Sequence, residues 1–182
     1  IVKEVEESVP LINPSTSKTG VTKATAWSLL AKLYLNHAVY TGSTDPSFWS
    51  KAAAVCDSIV DLGLYSLEGD ALGPFITNND NSPENIWVIP FDENNYEGFN
   101  LHMRTLHYNS NLTFQMVVGP WNGFAVMEEH FYSYEDDDRR KDGFLVGQQY
   151  THDGQPITDV GAGGVPLVFN PHIPALHMGA GN

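Results

Sequence analysis

Aromatic rings interleaved with primary amides are the residues of this chain whose chemistry is easiest to name. Between positions 92 and 122 lie Tyr96, Phe99, Tyr108, Phe114 and Trp121, set among Asn94, Asn95, Asn100, Asn109, Asn111 and Asn122. Arg104, His102 and His107 share the stretch. A flat apolar ring beside amide donors and acceptors suits a pyranose, whose C–H face lies on the ring while its hydroxyls pair with the amides. Amides also avoid the cost of desolvating a full charge. The competing expectation for each ring is that it fills core. Trp121 is the least suited to burial, because it sits in a Gly-Pro-Trp-Asn-Gly turn. The stretch 92–122 is therefore the candidate binding loop, since a loop this long is usually functional or mobile. Trp121 is its stacking platform, Asn122, Asn95 and Arg104 its polar contacts, with Tyr96 and Tyr108 beside them.

Other chemistry finds less support. No nucleophile elbow, His-Glu-x-x-His pair, Walker loop, Rossmann glycine pattern or EF-hand loop occurs. Among the seven histidines, His102/His107 and His172/His177 are five apart, a spacing that scatters them around a helix instead of stacking them on one face. The Asp136-Asp137-Asp138 run adjoins Arg139 and Arg140, which favours surface ion pairs over calcium. Glu128 and Glu129 are neighbours and on a helix diverge by about 100 degrees, so they do not flank one glycosidic bond. The expectation is a binding protein without catalytic residues, metal or cofactor.

The composition narrows the partners. A formal charge of -13 lacks the Lys/Arg surface that phosphate neutralisation or a polybasic membrane contact needs, so nucleic acid is not expected. No window approaches the ~20 apolar residues of a membrane span, and no basic-then-apolar leader opens the chain. Ile1 is not an initiator methionine, so a mature or internal piece is expected, and 182 residues suit one domain. Cys56, the single cysteine, forms no internal disulfide and is expected to be buried as a packing residue.

These residues need a support, and the clearest is a helical hairpin over 22–63. Ala26, Leu30, Leu33 and Ala38 form one stripe of its first helix, with Trp27 and Tyr34 beside it. Thr22 is the expected cap and Gly42 the left-handed residue past the end. The second helix opens at Asp45-Pro46, stops at Gly63, and is expected to turn Trp49, Ala52, Ala53, Cys56, Ile59 and Val60 inward. The short connection requires antiparallel helices sharing one seam. Residues 1–21 read as an extended lead-in, 85–91 as a strand limited by Pro90, and 124–134 as a further helix through Phe124, Met127, Phe131 and Tyr134. Beyond Tyr150 glycine and proline leave no period, and the chain is expected to wrap the surface. The fold class expected is mainly α, with long irregular loops and a few short strands.

Several stretches together resemble the SusD/RagB-like glycan-binding lipoproteins of Gram-negative outer membranes. They are GlyValThrLysAlaThrAlaTrpSerLeuLeuAlaLysLeuTyrLeuAsn (20–36), TrpSerLysAlaAlaAlaValCysAspSerIleValAspLeuGlyLeuTyrSerLeu (49–67), SerProGluAsnIleTrpValIlePro (82–90), TrpAsnGlyPhe (121–124) and TyrGluAspAspAspArgArg (134–140). The last is similar to the family's Phe-Glu-x-x-Asp-Pro-Arg, with Arg139 in the proline's place. The resemblance spans about positions 20 to 140, in family order. It implies that residues 1–182 are part of one SusD-like domain, with the hairpin as a tetratricopeptide-like helix pair. It also implies a surface-exposed protein of the cell outer membrane, held only by a lipid anchor outside this portion. Such a protein would pass an oligosaccharide to a SusC-like, TonB-dependent transporter without catalysis. The alternative is a helical protein-interaction scaffold without glycan contacts in this portion.

Overall fold

A computed structural model describes residues 1–13, 17–92, 94–95 and 97–172. The described residues are mainly α-helical, about 41% helix with a few short strands and no barrel among them. It divides into two compact units, Ile1–Tyr96 and Glu97–Asn182. Among the described residues no helix is long and apolar enough to cross a membrane.

The first unit is built on the expected helix pair. Helices α1 (Val2–Ser8), α2 (Lys23–Leu35), α3 (His37–Thr41) and α4 (Ser47–Asp61) follow in order, with a tight turn of helix at Val9–Leu11. A reciprocal capping box starts α2, the Thr22 hydroxyl accepting from the Thr25 N–H at 3.1 Å. Asn36 then breaks the helix, its side-chain amide donating to the Lys32 carbonyl, which is how asparagine competes with the helical ladder. Gly42 closes α3 in the left-handed conformation at φ 71°. Ahead of α4 the Asp45 carboxylate accepts from the Ser47 N–H at 2.9 Å.

Helices α2 and α4 pack around Leu30, Tyr34 and Ala52, with Trp27, Phe48 and Val55 at the edges. Tyr34 belongs to this core and not beside it: its ring is buried and its hydroxyl donates to Glu6 of α1. Burial, and then the bond to Glu6, push the phenol up to about 12. Residues 2–11 are thus helical and packed, not an extended lead-in, because Val2, Val5 and Val9 cover the α2–α4 seam.

The inward face of α4 also departs from expectation. Phe48, Ala52, Val55 and Ile59 lie toward α2, while Trp49, Ala53, Cys56 and Val60 face out. The two stripes have the same spacing and differ by one residue, about 100 degrees of rotation. Phe48 selects between them by stacking on His37, with ring centroids 3.4 Å apart, and by meeting Tyr34 at 6.2 Å. Cys56 is consequently exposed.

Residues 85–91 form no strand. The Val88 N–H donates to the Lys18 carbonyl at 3.0 Å, and among the described residues no strand lies alongside. Nearby turns are stitched by side chains, with Lys18 Nζ on the Ser82 carbonyl and Asn79 Nδ2 on that of Pro74.

The second unit holds α5 (Leu101–Thr105), α6 (Ser110–Phe114) and α7 (Glu128–Tyr132). Strands β1 (Gly147–Gln148), β2 (Thr158–Asp159), β3 (Val165–Pro166) and β4 (Val168–Phe169) follow. β1 pairs with β4 and β2 with β3, both antiparallel, with Gly147 opposite Phe169 and Thr158 opposite Pro166. Between the pairs Gln149, Ile157 and Leu167 close a triangle of backbone hydrogen bonds of 2.8–2.9 Å. Ile157 and Leu167 are buried there, so the stretch beyond Tyr150 supplies core and does not merely wrap the surface. Strands of two residues are too short to show an alternating pattern. The helix expected over 124–134 shrinks to α7, and ahead of it the Phe124 N–H is engaged by the Arg104 carbonyl at 2.8 Å.

Replacing Leu30 by Ala is expected to lower the unfolding free energy by about 3 kcal/mol through the lost burial and the cavity left. Trp49→Ala, on the outward stripe, is expected to change it by less than about 0.5 kcal/mol. Urea unfolding followed by circular dichroism checks both, and equal losses would refute the assigned faces.

Candidate functional site

Short helix α5 leaves carbonyls without helical partners, and residues 121–124 dock on them. Trp121 N–H donates to the Met103 carbonyl at 2.6 Å and Asn122 N–H to that of Leu106 at 3.0 Å. Gly123 and Phe124 N–H both donate to the Arg104 carbonyl, at 2.9 and 2.8 Å. The close approach favours glycine at two points. A Cβ on Gly119 would stand 3.0 Å from the Tyr108 carbonyl, and one on Gly123 would stand 3.1 Å from that of Arg104. Asn122 takes a left-handed conformation, φ 51°, which asparagine tolerates better than most residues.

The docked turn holds its backbone against α5 and turns its largest ring outward. Trp121 is 55% exposed. The Arg104 guanidinium carbon lies 5.7 Å from the Trp121 ring centroid, and Arg104 Nε donates to Asn100 Oδ1 at 3.0 Å. Phe99 stacks on His102 with centroids 5.7 Å apart. An exposed indole with a cation beside it and asparagine next in sequence offers stacking, charge and amide hydrogen bonding on one surface.

Of the residues named from sequence, the fold therefore brings together Trp121, Asn122 and Arg104. Tyr108 belongs to the same unit and its carbonyl adjoins Gly119, but its hydroxyl is committed inward. Asn95 lies in the first unit, where its backbone and side-chain amides donate to Asp92 Oδ1 at 2.7 and 3.3 Å. Tyr96 lies outside the described residues. The stretch 92–122 is also no continuous loop, since it contains α5 and α6 and its first residues belong to the other unit.

Beneath the surface is a buried polar cluster that the sequence did not announce. Tyr108 donates its hydroxyl to both oxygens of Asp159, at 2.8 and 2.9 Å, and Gly161 N–H donates to Oδ1 at 2.9 Å. His107 Nε2 stands 3.7 Å from Asp159 Oδ2, and both side chains are almost wholly buried. His107 Nδ1 accepts from the Asn109 N–H at 3.1 Å, which places the ring's proton on Nε2, facing Asp159. Gly161 is required here, as a Cβ would come within 2.8 Å of the Tyr108 hydroxyl. Fifty-one residues separate Tyr108 from Asp159, and the glycine-rich turn after Asp159 is the sole local sign of close packing.

Among the described residues no three His, Cys, Asp or Glu side chains gather as a metal site would require. His172 Nδ1 and Glu128 Oε2 are 2.7 Å apart, and His177 lies outside the described residues. The acidic run forms the expected surface pairs: Asp136 with Lys141 at 2.7 Å, Asp138 with Arg140 at 2.5 Å and Asp142 with Arg139 at 3.1 Å. The bonds from Arg140 hold the Asp138 carboxyl down at about 2.

The buried cluster makes stability depend on pH in a definite direction. Burial lowers the His107 pKa below its usual 6.5, with Asp159 opposing. The unfolded chain therefore takes up that proton first, and this contribution is lost as pH falls from about 6.5 through the folded value. The bond to Asp159, then burial, raise Tyr108 above 10, so its contribution is lost as pH rises past about 10. Urea midpoints are expected to fall between pH 7 and 5, and a His107→Asn variant to lack that slope. Tyr108→Phe is expected to cost about 1–3 kcal/mol at pH 7, because it removes a bond to a buried carboxylate. No family model, curated protein or solved structure matches the chain.

Proposed function

We propose that the chain is part of a non-catalytic, SusD/RagB-like glycan-binding protein that holds an oligosaccharide at the outer surface of a bacterial outer membrane. In this reading α2 and α4 are a tetratricopeptide-like helix pair, and the bound sugar passes to a SusC-like, TonB-dependent transporter. The observation that carries it is the exposed Trp121 ring on a backbone-locked turn, with Arg104 and Asn122 beside it. A sugar's C–H face lies on the indole, while its hydroxyls meet the guanidinium and amide. Because α5 and the Leu106 that follows it hold the turn through four backbone bonds, little ordering entropy is lost on binding. A millimolar to micromolar dissociation constant corresponds to about -4 to -8 kcal/mol, which one ring stack and a few hydrogen bonds supply. Many copies on one surface strengthen the hold on a polymer without new contacts.

A second reading, a helical protein-interaction scaffold, is favoured by the outward stripe of α4, where Trp49 is 50% and Val60 76% exposed. Monomeric proteins seldom expose a long contiguous apolar patch without a partner for it.

Trp121→Ala is expected to abolish retardation in polysaccharide affinity gels and leave the melting temperature nearly unchanged, since the hydrogen bond from residue 121 to α5 comes from its backbone N–H and the exposed ring meets only the Arg104 side chain there. Unchanged retardation by every polysaccharide that holds the wild type would refute the glycan site. A partner pull-down that survives Trp121→Ala but fails after Trp49→Asp would favour the scaffold.

A further inference from the structure

Arg104 carries a property that ring stacking alone does not require. The chain has three arginines, and the other two are paired with carboxylates, Arg139 with Asp142 and Arg140 with Asp138. Arg104 has no carboxylate within ion-pair distance among the described residues. Its Nε is taken by Asn100 Oδ1, and its guanidinium carbon lies 5.7 Å from the Trp121 ring centroid. The edge formed by Nη1 and Nη2 remains for a ligand, on an exposed side chain. In a chain with 22 acidic and 9 basic residues, such a cation stands out.

A guanidinium edge is a planar two-pronged donor that matches a carboxylate, and charge-assisted pairs of this kind are about twice as strong as neutral hydrogen bonds. Resting on the glycan reading above, we propose that the sugar held at Trp121 is acidic. A hexuronic acid unit lies with its C–H face on the indole and its carboxylate on the Nη edge of Arg104. Asn100 holds the guanidinium in place through Nε, so the fork is set before the ligand arrives. The chain's net charge of -13 does not oppose this locally, because a Debye length of about 8 Å at physiological salt screens distant carboxylates.

The test uses affinity gels of polygalacturonate, alginate and hyaluronate, each beside its carboxyl-reduced form, which keeps the sugar rings and removes the charge. The wild-type chain is expected to bind at least one acidic polymer about ten-fold more tightly than its reduced form, with the preference fading as salt rises. Arg104→Gln is expected to remove the preference and keep residual binding to both forms. The turn survives this change because it hangs on the Arg104 carbonyl, not its side chain. Arg104→Lys, which keeps the charge but lacks the fork, is expected to fall between the two. Equal retention of acidic and reduced polymers by the wild type, or a preference untouched by Arg104→Gln, would overturn the acidic-sugar inference alone. Retention by none of the gels, neutral ones included, would overturn the glycan reading with it.

Discussion

Unpaired carbonyls at the end of a very short helix organise the candidate site. Helix α5 has five residues, so its last carbonyls have no N–H of its own to receive. The chain returns at 121–124 and supplies those N–H groups itself. The result is a turn whose backbone is satisfied and whose Trp121 side chain is left over. A hydrophobic mechanism would have drawn the indole inward. Here backbone hydrogen bonding sets the path of the chain, and the ring takes the side that remains. Gly119 and Gly123 make that approach sterically possible, which ties the exposed ring to residues that never touch a ligand.

The buried Asp159 cluster does for the interior of the second unit what the turn does for its surface. A carboxylate out of water is tolerable only when several donors meet it. Tyr108, Gly161 and His107 supply them from two distant parts of the chain. Tyr108 also adjoins Gly119 through its carbonyl, so one residue contacts both the polar interior and the start of the displayed turn. With few large apolar side chains buried among the described residues of this unit, specific polar bonds carry much of the burden of defining its conformation.

In the first unit ordinary helix packing suffices, and ambiguity lies elsewhere. The α4 sequence carries two apolar stripes of equal spacing, and helical periodicity has no means of ranking them. The decision falls to a ring stack between Phe48 and His37 together with the contact to Tyr34, residues on opposite sides of the connection. The unused stripe, Trp49 through Val60, then lies on the surface with Cys56 within it. The larger ring, Trp49, is left outside and Phe48 turns inward, because size leads to burial only when the neighbouring helix leaves room.

The amino-acid sequence by itself determined the local features. Thr22 caps α2, Asp45 precedes α4 and Gly42 turns left-handed after α3, since capping and chirality act over a few residues. The Pro-Trp-Asn-Gly turn announced an exposed Trp121 for the same reason. Its pairing with Arg104, 17 positions earlier, was foreseen as shared membership of one stretch but not as a contact. Tertiary structure alone decided the inward face of α4, the two-residue strand pairs, the separation of Asn95 from Trp121 into different units, and the meeting of Tyr108 with Asp159. These outcomes lie beyond the reach of helical spacing and turn chemistry, and the competition for hydrogen-bond partners and packing space selects them.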